Sequence, residues 1–482
     1  EDNILINRRF GPYIYLLIGF FFLFFANGRW ILPAAAFLAP LFLIRFLRTQ
    51  SPFKGFLLIV LASCISNIFI WKGMNPMTGF IYYLVMFMMS LFTAIPFLLD
   101  RIIMQKIKGV ISSLVFPSAY VLLEYIVVST NPSGSYGTMG HTQDYLPLMQ
   151  IVSITGIWGI VFIVTWTSSI FNWLWDKGYD IKSLKKALPL YFVPLMLMIL
   201  LGQVRLMMEC PGDTVKIGAI NISAPEAQHI YNARPVAAND KINQIFLDNC
   251  QIASHSRAKI VFGIESMLNM TDIKEPAFID KAKAVAQRAN IYIGLPLLIY
   301  STDEPNRKPV NKITWISPES KVLFSYIKAK PTPGEGNYGD GILKYFDSPY
   351  GRISSAICFD MDFPSLIAQV SRMDIDIMLV PGNDWQEISP YHTYVASIRG
   401  IEQGFNLVRA ASRGLSASFN YKGERLGQMD YFKRKQDMLN RVFYTDIPTA
   451  GVKTIYAVLG DFFPFLCIAI LLSLGIIYIR RK

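Results

Sequence analysis

The chain has 482 residues, 52% of them hydrophobic and only 17% charged, with 46 Lys and Arg against 34 Asp and Glu. That length leaves room for two or three domains, and the apolar excess excludes a chain that is soluble throughout. The surplus positive charge lies in short loops between apolar runs, with no basic and aromatic platform of the kind single-strand binders use, so membrane orientation accounts for it and nucleic acid does not.

A hydrocarbon core about 30 Å thick needs about 20 apolar helical residues. Seven segments approach that length in the first part of the chain: 11–27, 30–47, 55–71, 78–99, 110–129, 155–175 and 188–204. An eighth runs over 462–479, followed by Arg480-Arg481-Lys482. With the N-terminus on the cytoplasmic side, the inward loops hold fifteen Lys and Arg, while the short outward loops hold Arg29 and Lys72 only. The asymmetry predicts that orientation. An odd number of spans then places the segment 213–448 outside the cytoplasm. Glu124 falls inside the fifth span, where a carboxylate is costly and faces protein or a wet cavity. His141, in the outward loop after it, reads as polar surface.

Residues 213–448 read as an α/β domain. Period-2 apolar runs predict strands at 215–220, 259–264, 291–296, 312–317, 321–327, 352–358, 375–380, 405–411 and 415–419. Helical patterns predict helices at 236–254, 276–289, 364–372 and 390–403. Pro318-Glu319-Ser320 marks a hairpin turn. The alternation predicts a layered sandwich. The stretch 329–349 has no period and is rich in Pro and Gly, as functional loops are. Its apolar residues Ile342, Leu343, Tyr345 and Phe346 are candidates to line an entry to a site.

Three predicted strands end on chemistry. Glu265 follows the run 259–264, Lys328 closes 322–328, and Cys358 closes 352–358. A thiol nucleophile needs a base, and its oxyanion needs a cation or amide donors; the trio supplies both. Taken alone, a strand-end cysteine is a small hydrophobe, Asp360 and Asp362 are caps for a helix starting near Pro364, and Arg399 with Glu402 is a helical ion pair. Four histidines without ligand spacing predict no metal. Cys64 and Cys467 lie in apolar spans, and sequence leaves open whether Cys210 and Cys250 pair.

Glu265, Lys328 and Cys358 resemble the Glu-Lys-Cys triad of the nitrilase superfamily of carbon–nitrogen hydrolases. With seven spans before the domain and one after, the whole chain resembles the bacterial apolipoprotein N-acyltransferases. Tyr326-Ile327-Lys328 matches that family's Tyr-x-Lys, with Pro333 five residues on. Gly334-Glu335 resembles the Gly-Glu bearing its second glutamate, and Asn383-Asp384-Trp385 its Asn-Asp-x-Trp. Ala396, Arg399, Glu402, Arg409, Gly414, Ser416, Thr454-Ile455-Tyr456 and Gly460-Asp461 fall at matching places. The departures are Cys358-Phe359-Asp360 where Cys-Tyr-Glu is common, Ser412-Arg413-Gly414 at a turn, and no tryptophan between Ile222 and Val261.

The resemblance implies a division into a membrane domain over 1–210, an α-β-β-α sandwich over 211–450 that is catalytic and periplasmic, and a last span with its basic tail over 451–482. It implies Glu265, Lys328 and Cys358 as catalytic residues, with Glu335, Phe359 and Asp360 auxiliary or substrate-binding. It also implies no cofactor, a monomer in the inner membrane, a phospholipid acyl donor, and a diacylglyceryl-modified apolipoprotein as acceptor. The rival readings are a membrane-anchored nitrilase-type amidase, in which water replaces the amine, and a transporter with a soluble cap.

Overall fold

A computed structural model of the chain describes residues 11–222, 236–304, 306–332, 335–433 and 442–480. Pro333 and Gly334 lie outside the described residues. The chain divides into two compact units, Glu1–Met207 with Leu459–Lys482, and Met208–Val458.

The first unit is helical. Its main helices are α1 (Gly11–Ala26), α2 (Pro33–Arg48), α3 (Pro52–Ile70), α4 (Gly79–Ile103), α5 (Val115–Thr130), α6 (Trp158–Asp176), α7 (Val193–Met207) and, after the second unit, the long helix Phe462–Arg480. Among the described residues, five stretches are long and apolar enough to cross a membrane: Pro52–Ile70, Gly79–Ile103, Val110–Thr130, Ile181–Met207 and Phe462–Arg480. The other three expected spans also form helices. α1 and α2 have 16 residues each, and α6 is interrupted by Thr165, Thr167, Ser168, Ser169 and Asn172.

Those polar residues of α6 work across helices. Asn172 donates to Leu41 O at 2.8 Å and Ser168 to Phe37 O at 2.7 Å, tying α6 to α2, as polar side chains do between membrane helices. Asp176 at the end of α6 receives Arg45 at 2.5 Å and Arg48 at 2.7 Å, and Arg48 also meets Asp100 on α4. Glu124 accepts the Met139 N–H at 2.9 Å. His141 is not surface: it is buried, with Nε2 3.2 Å from Ser135 Oγ.

The second unit is built on two sheets. Its strands are β1 (Thr214–Ile220), β2 (Ile260–Gly263), β3 (Leu268–Thr271), β4 (Tyr292–Tyr300), β5 (Val310–Ile316), β6 (Val322–Ile327), β7 (Tyr345–Ser348), β8 (Gly351–Ser355), β9 (Ile377–Asn383), β10 (Asn406–Ser412), β11 (Leu415–Phe419), β12 (Arg425–Asp430) and β13 (Val442–Pro448). One sheet runs β13-β1-β2-β4-β5-β6, with β3 also on β4; the other runs β12-β11-β10-β9-β8-β7. Parallel pairs β1/β2, β2/β4, β8/β9 and β9/β10 fill the centres, and antiparallel pairs close the edges. Central strands covered on both faces need continuous apolar sequence, and Ile377-Met378-Leu379-Val380 is wholly buried.

Helices α8 (Val236–His255) and α9 (Glu275–Ala289) pack on the first sheet, and α10 (Tyr391–Gln403) packs on the second. Within α10, Arg399 and Glu402 form a buried ion pair at 2.7 Å. The predicted hairpin is β5–β6. The loop before β8 is less open than its composition predicts. Of its four apolar residues expected to line an entry, Leu343 and Phe346 are buried in the core, while Ile342 and Tyr345 are exposed. Phe346 stacks on Tyr292 with ring centres 5.3 Å apart and tilts against Trp315 at 5.4 Å. Cys210 and Cys250 are both free thiols.

Trp315 joins the layers: its ring is fully buried and its Nε1 donates to Ser355 Oγ on β8 at 2.9 Å. Trp315→Ala is expected to lower stability by about 3–5 kcal/mol, read as a lower thermal midpoint of the purified protein. A midpoint within experimental scatter of wild type would contradict the packing described.

Candidate active site

Each of the three strand-end residues lies just beyond a strand. Glu265 follows β2 by two residues, Lys328 follows β6 directly, and Cys358 follows β8 and opens a 3-10 turn, Cys358–Asp362. β2 and β6 belong to one sheet and β8 to the other, so the site is assembled across the sandwich. Cys358 sits at φ +50°, in the left-handed region that costs a non-glycine residue energy and marks functional turns.

Lys328 is buried between two carboxylates. Its Nζ lies 2.6 Å from Glu265 Oε1, 2.6 Å from Glu335 Oε1 and 2.8 Å from Glu335 Oε2. Pairing of β5 with β6 sets Asn311 beside Lys328, whose N–H donates to the Asn311 carbonyl. The Asn311 amide then donates to both carboxylates, at 2.8 Å to Glu265 and 2.9 Å to Glu335. Glu335 is held from below by the Thr332 N–H and hydroxyl, at 2.8 and 2.9 Å.

The electrostatics separate the two acids. Burial, with the Glu335 charge behind it, pushes Glu265 up to about 7 although Lys328 pulls the other way. Glu335 is also penalised by burial, but Lys328 and the Thr332 N–H outweigh it and hold the group down at about 2. Lys328 loses solvation too, yet the charges of Glu265, Cys358 and Glu335 keep it firmly protonated. One carboxyl poised near neutrality beside a permanent cation is what a general base requires. Cys358 is a buried thiol. Burial and the Glu265 charge push it up, while Lys328 and Arg409 pull it down.

Phe359 is half-buried, its ring edge-on to Phe363 at 5.2 Å. Asp360 is fully buried and points inward. It accepts from Tyr326 Oη at 2.9 Å, Lys330 N at 2.7 Å and Ile357 N at 3.0 Å. It thus ties the end of β6 to the turn that carries the sulfur, and burial raises it to about 6.

Sequence reasoning gave no role to Asn311, nor to a second buried cluster on the other side of the cysteine. Arg409 on β10 donates to Asp384 at 2.6 and 2.9 Å, to Thr393 Oγ1 at 2.9 Å, and to Cys358 Sγ at 3.8 Å. His392 Nδ1 lies 2.9 Å from Asp384 Oδ1, and its Nε2 lies 3.3 Å from Asp362 Oδ1. Sulfur, carboxylate and imidazole donor atoms here fall within 4.8 Å of one another, but the guanidinium already supplies the cation that Asp384 binds. A signal existed: Arg409 is the one charged residue in the apolar run Asn406–Ser412, and a charge buried in a central strand needs partners.

Comparison with known proteins finds family matches in both units. Residues 261–456 match the carbon-nitrogen hydrolase family model, and residues 18–170 match that of the apolipoprotein N-acyltransferase N-terminal domain. An apolipoprotein N-acyltransferase of Geobacter metallireducens is 22% identical, over 78% of this chain and 76% of that protein. One from Bradyrhizobium diazoefficiens is 24% identical, over 86% and 81% respectively. Among solved structures, an amidase from Nesterenkonia sp. aligns at 16% identity with a TM-score of 0.40, covering 50% of this chain and 93% of that one.

Proposed function

Because the chain belongs to the apolipoprotein N-acyltransferase family, as a distant member, we propose that it moves an acyl chain from a membrane phospholipid, through a thioester on Cys358, to the N-terminal amine of a diacylglyceryl-cysteine lipoprotein. Glu265 takes the proton of Cys358, and the sulfur attacks the ester carbonyl. Lys328 and the Phe359 N–H stabilise the oxyanion. The ester C–O bond breaks, Glu265 returns the proton to the lysophospholipid, and the thioester remains. The acceptor amine then attacks, the new C–N bond replaces C–S, and Glu265 carries the amine proton back to the sulfur. Glu335 holds Lys328, and Asp360 braces the turn. The observation that supports this reading is the cluster in which buried Lys328 lies 2.6 Å from both Glu265 and Glu335, with the Glu265 and Lys328 charges acting on the Cys358 sulfur.

The protein is read as an inner-membrane monomer with eight spans and its second unit facing the periplasm. The fifteen inward and two outward basic residues support that orientation. An ester donor held in the bilayer suits a polytopic enzyme, since each CH₂ moved into water costs about 0.8 kcal/mol.

The test is to incubate the full-length protein with isotope-labelled phospholipid and weigh it by mass spectrometry. An acyl adduct on Cys358 that persists in buffer and passes to a diacylglyceryl-cysteine peptide as an N-acyl product is expected. Rapid discharge by water alone would instead favour the amidase-like hydrolase.

Acid–base behaviour gives a second expected result. The rising limb of kcat/KM should fall near pH 7, where Glu265 ionises. Glu335 raises Glu265 by its charge and competes for Lys328, so Glu335→Gln should move that limb to lower pH, by about one unit. A limb that stays put or moves upward would show that Glu265 is not the group that titrates.

A further inference from the structure

We propose that Arg409 is a second catalytic cation of this site, one that donates to the Cys358 sulfur and stabilises it as a thiolate, with Asp384 and His392 as positioning residues that hold the guanidinium. The inference rests on Cys358 being the nucleophile of the reading above.

The first support is how the donors are shared. Lys328 Nζ has three protons, and its three close contacts are all carboxylate oxygens. In this state none of them serves the sulfur. Arg409 Nη2 has two protons: one goes to Asp384 Oδ1 at 2.9 Å, and since a protonated His392 offers no acceptor at Nδ1, 3.0 Å away, the other is left for Sγ at 3.8 Å, a reach at which an N–H donates to the large sulfur atom.

The second support is that the guanidinium is built in. Arg409 is fully buried, as are Asp384 and Thr393. Asp384 takes both Nη groups in a fork, and Thr393 takes one of them. Two glycines keep the space clear: a Cβ on Gly382 would lie 2.9 Å from Arg409 Nη2, and one on Gly414 would lie 2.8 Å from Asp384 Oδ2. Burying an arginine costs stability unless its partners compensate, and here the compensated group ends against the reactive atom.

The third support is the charge of the surroundings. Asp384 faces Arg409 and His392, while His392 faces Asp384 on one nitrogen and Asp362 on the other. Burial works against the imidazolium, but Asp362 and Asp384 outweigh it and raise His392 to about 9, with Arg409 opposing. Two cations and two carboxylates cancel, so Asp384 does not leave the sulfur facing a net negative neighbour. On the other side of the sulfur lie Glu265, Lys328 and Glu335, with Asp360 behind the turn.

The chemistry calls for such a donor twice. When Glu265 takes the thiol proton, the electron pair stays on sulfur. When the amine expels the thioester sulfur, the C–S pair returns to it. Arg409 stabilises the anion in both events, and neither needs a further reactant.

The test reads the sulfur directly and needs no lipid. Full-length protein is alkylated with iodoacetamide at about pH 8, and Cys358 is followed by peptide mass spectrometry so that the other thiols do not interfere. Below the thiol pKa the rate tracks the thiolate fraction, so Arg409→Met should react about tenfold more slowly. Arg409→Lys, which keeps the charge, should stay within about threefold of wild type. A purely structural arginine predicts the opposite sign, because a loosened pocket admits reagent faster. An Arg409→Met rate equal to or above wild type would overturn the proposal. If that variant does not fold, His392→Asn decides: removing its positive charge should slow alkylation about threefold, and an unchanged or faster rate would overturn it. Failure of the lipid experiment with the alkylation result intact would strike the acyl-transfer reading alone.

Discussion

Cys358→Ala is expected to abolish acyl-enzyme formation and to lower acyl transfer by about 10⁴-fold or more, the scale seen when a covalent nucleophile is deleted. The substitution removes one sulfur, and neither the Lys328–Glu265 pair nor the Arg409–Asp384 pair depends on it. The fold should therefore survive, and the melting midpoint should stay close to wild type. Cys358→Ser is the sharper comparison. A hydroxyl occupies the same place, but its proton is far harder to remove, so a base poised near 7 no longer suffices. Serine should be nearly as inactive as alanine. A serine variant with a tenth of wild-type activity or better would mean that the reaction does not pass through a sulfur adduct.

Glu265→Gln is the second large effect, with an expected loss of about 10²–10⁴-fold. The amide can still receive Lys328 and Asn311 through its oxygen, as the carboxylate does at 2.6 and 2.8 Å, so geometry is largely kept while basicity is lost. The remaining rate should then depend on thiolate formed by solvent. It should climb about tenfold for each pH unit with no plateau near neutrality, whereas wild type levels off once Glu265 is ionised. Full-length enzyme assayed across pH separates the two curves. A glutamine variant with the wild-type profile would place the base elsewhere.

Much of this was legible in the sequence, and the misses have a common cause. The predicted helix 236–254 is Val236–His255, the helix 276–289 is Glu275–Ala289, and the helix 390–403 is Tyr391–Gln403. The predicted helix 364–372 divides into a short α-turn, Pro364–Ile367, and a 3-10 turn, Ala368–Arg372. The nine predicted strands are present, several with shifted ends; β4 continues to Tyr300 and β9 to Asn383. The unpredicted strands are β3, β7, β12 and β13. β7, β12 and β13 are sheet edges, and β3 has four residues. Edge strands expose half their backbone and carry polar or charged residues there. Arg425-Leu426-Gly427-Gln428-Met429-Asp430 therefore has little apolar alternation to read. At the site, Glu265, Lys328 and Cys358 stood out because each ends a run of apolar residues. Asn311, His392 and Arg409 sit inside a strand or helix, where only their final surroundings give them a task.

The division of the site between two sheets has one more consequence. Glu265 and Lys328 ride on one layer and the Cys358 sulfur with Arg409 on the other, so their meeting depends on how the layers are stacked. A slip of the stack by even a small fraction of a residue's length would part proton donor from acceptor before any strand had come undone. Turnover is therefore a report on the registration of the whole sandwich, and a chain that is misassembled or still maturing carries a sulfur without its base.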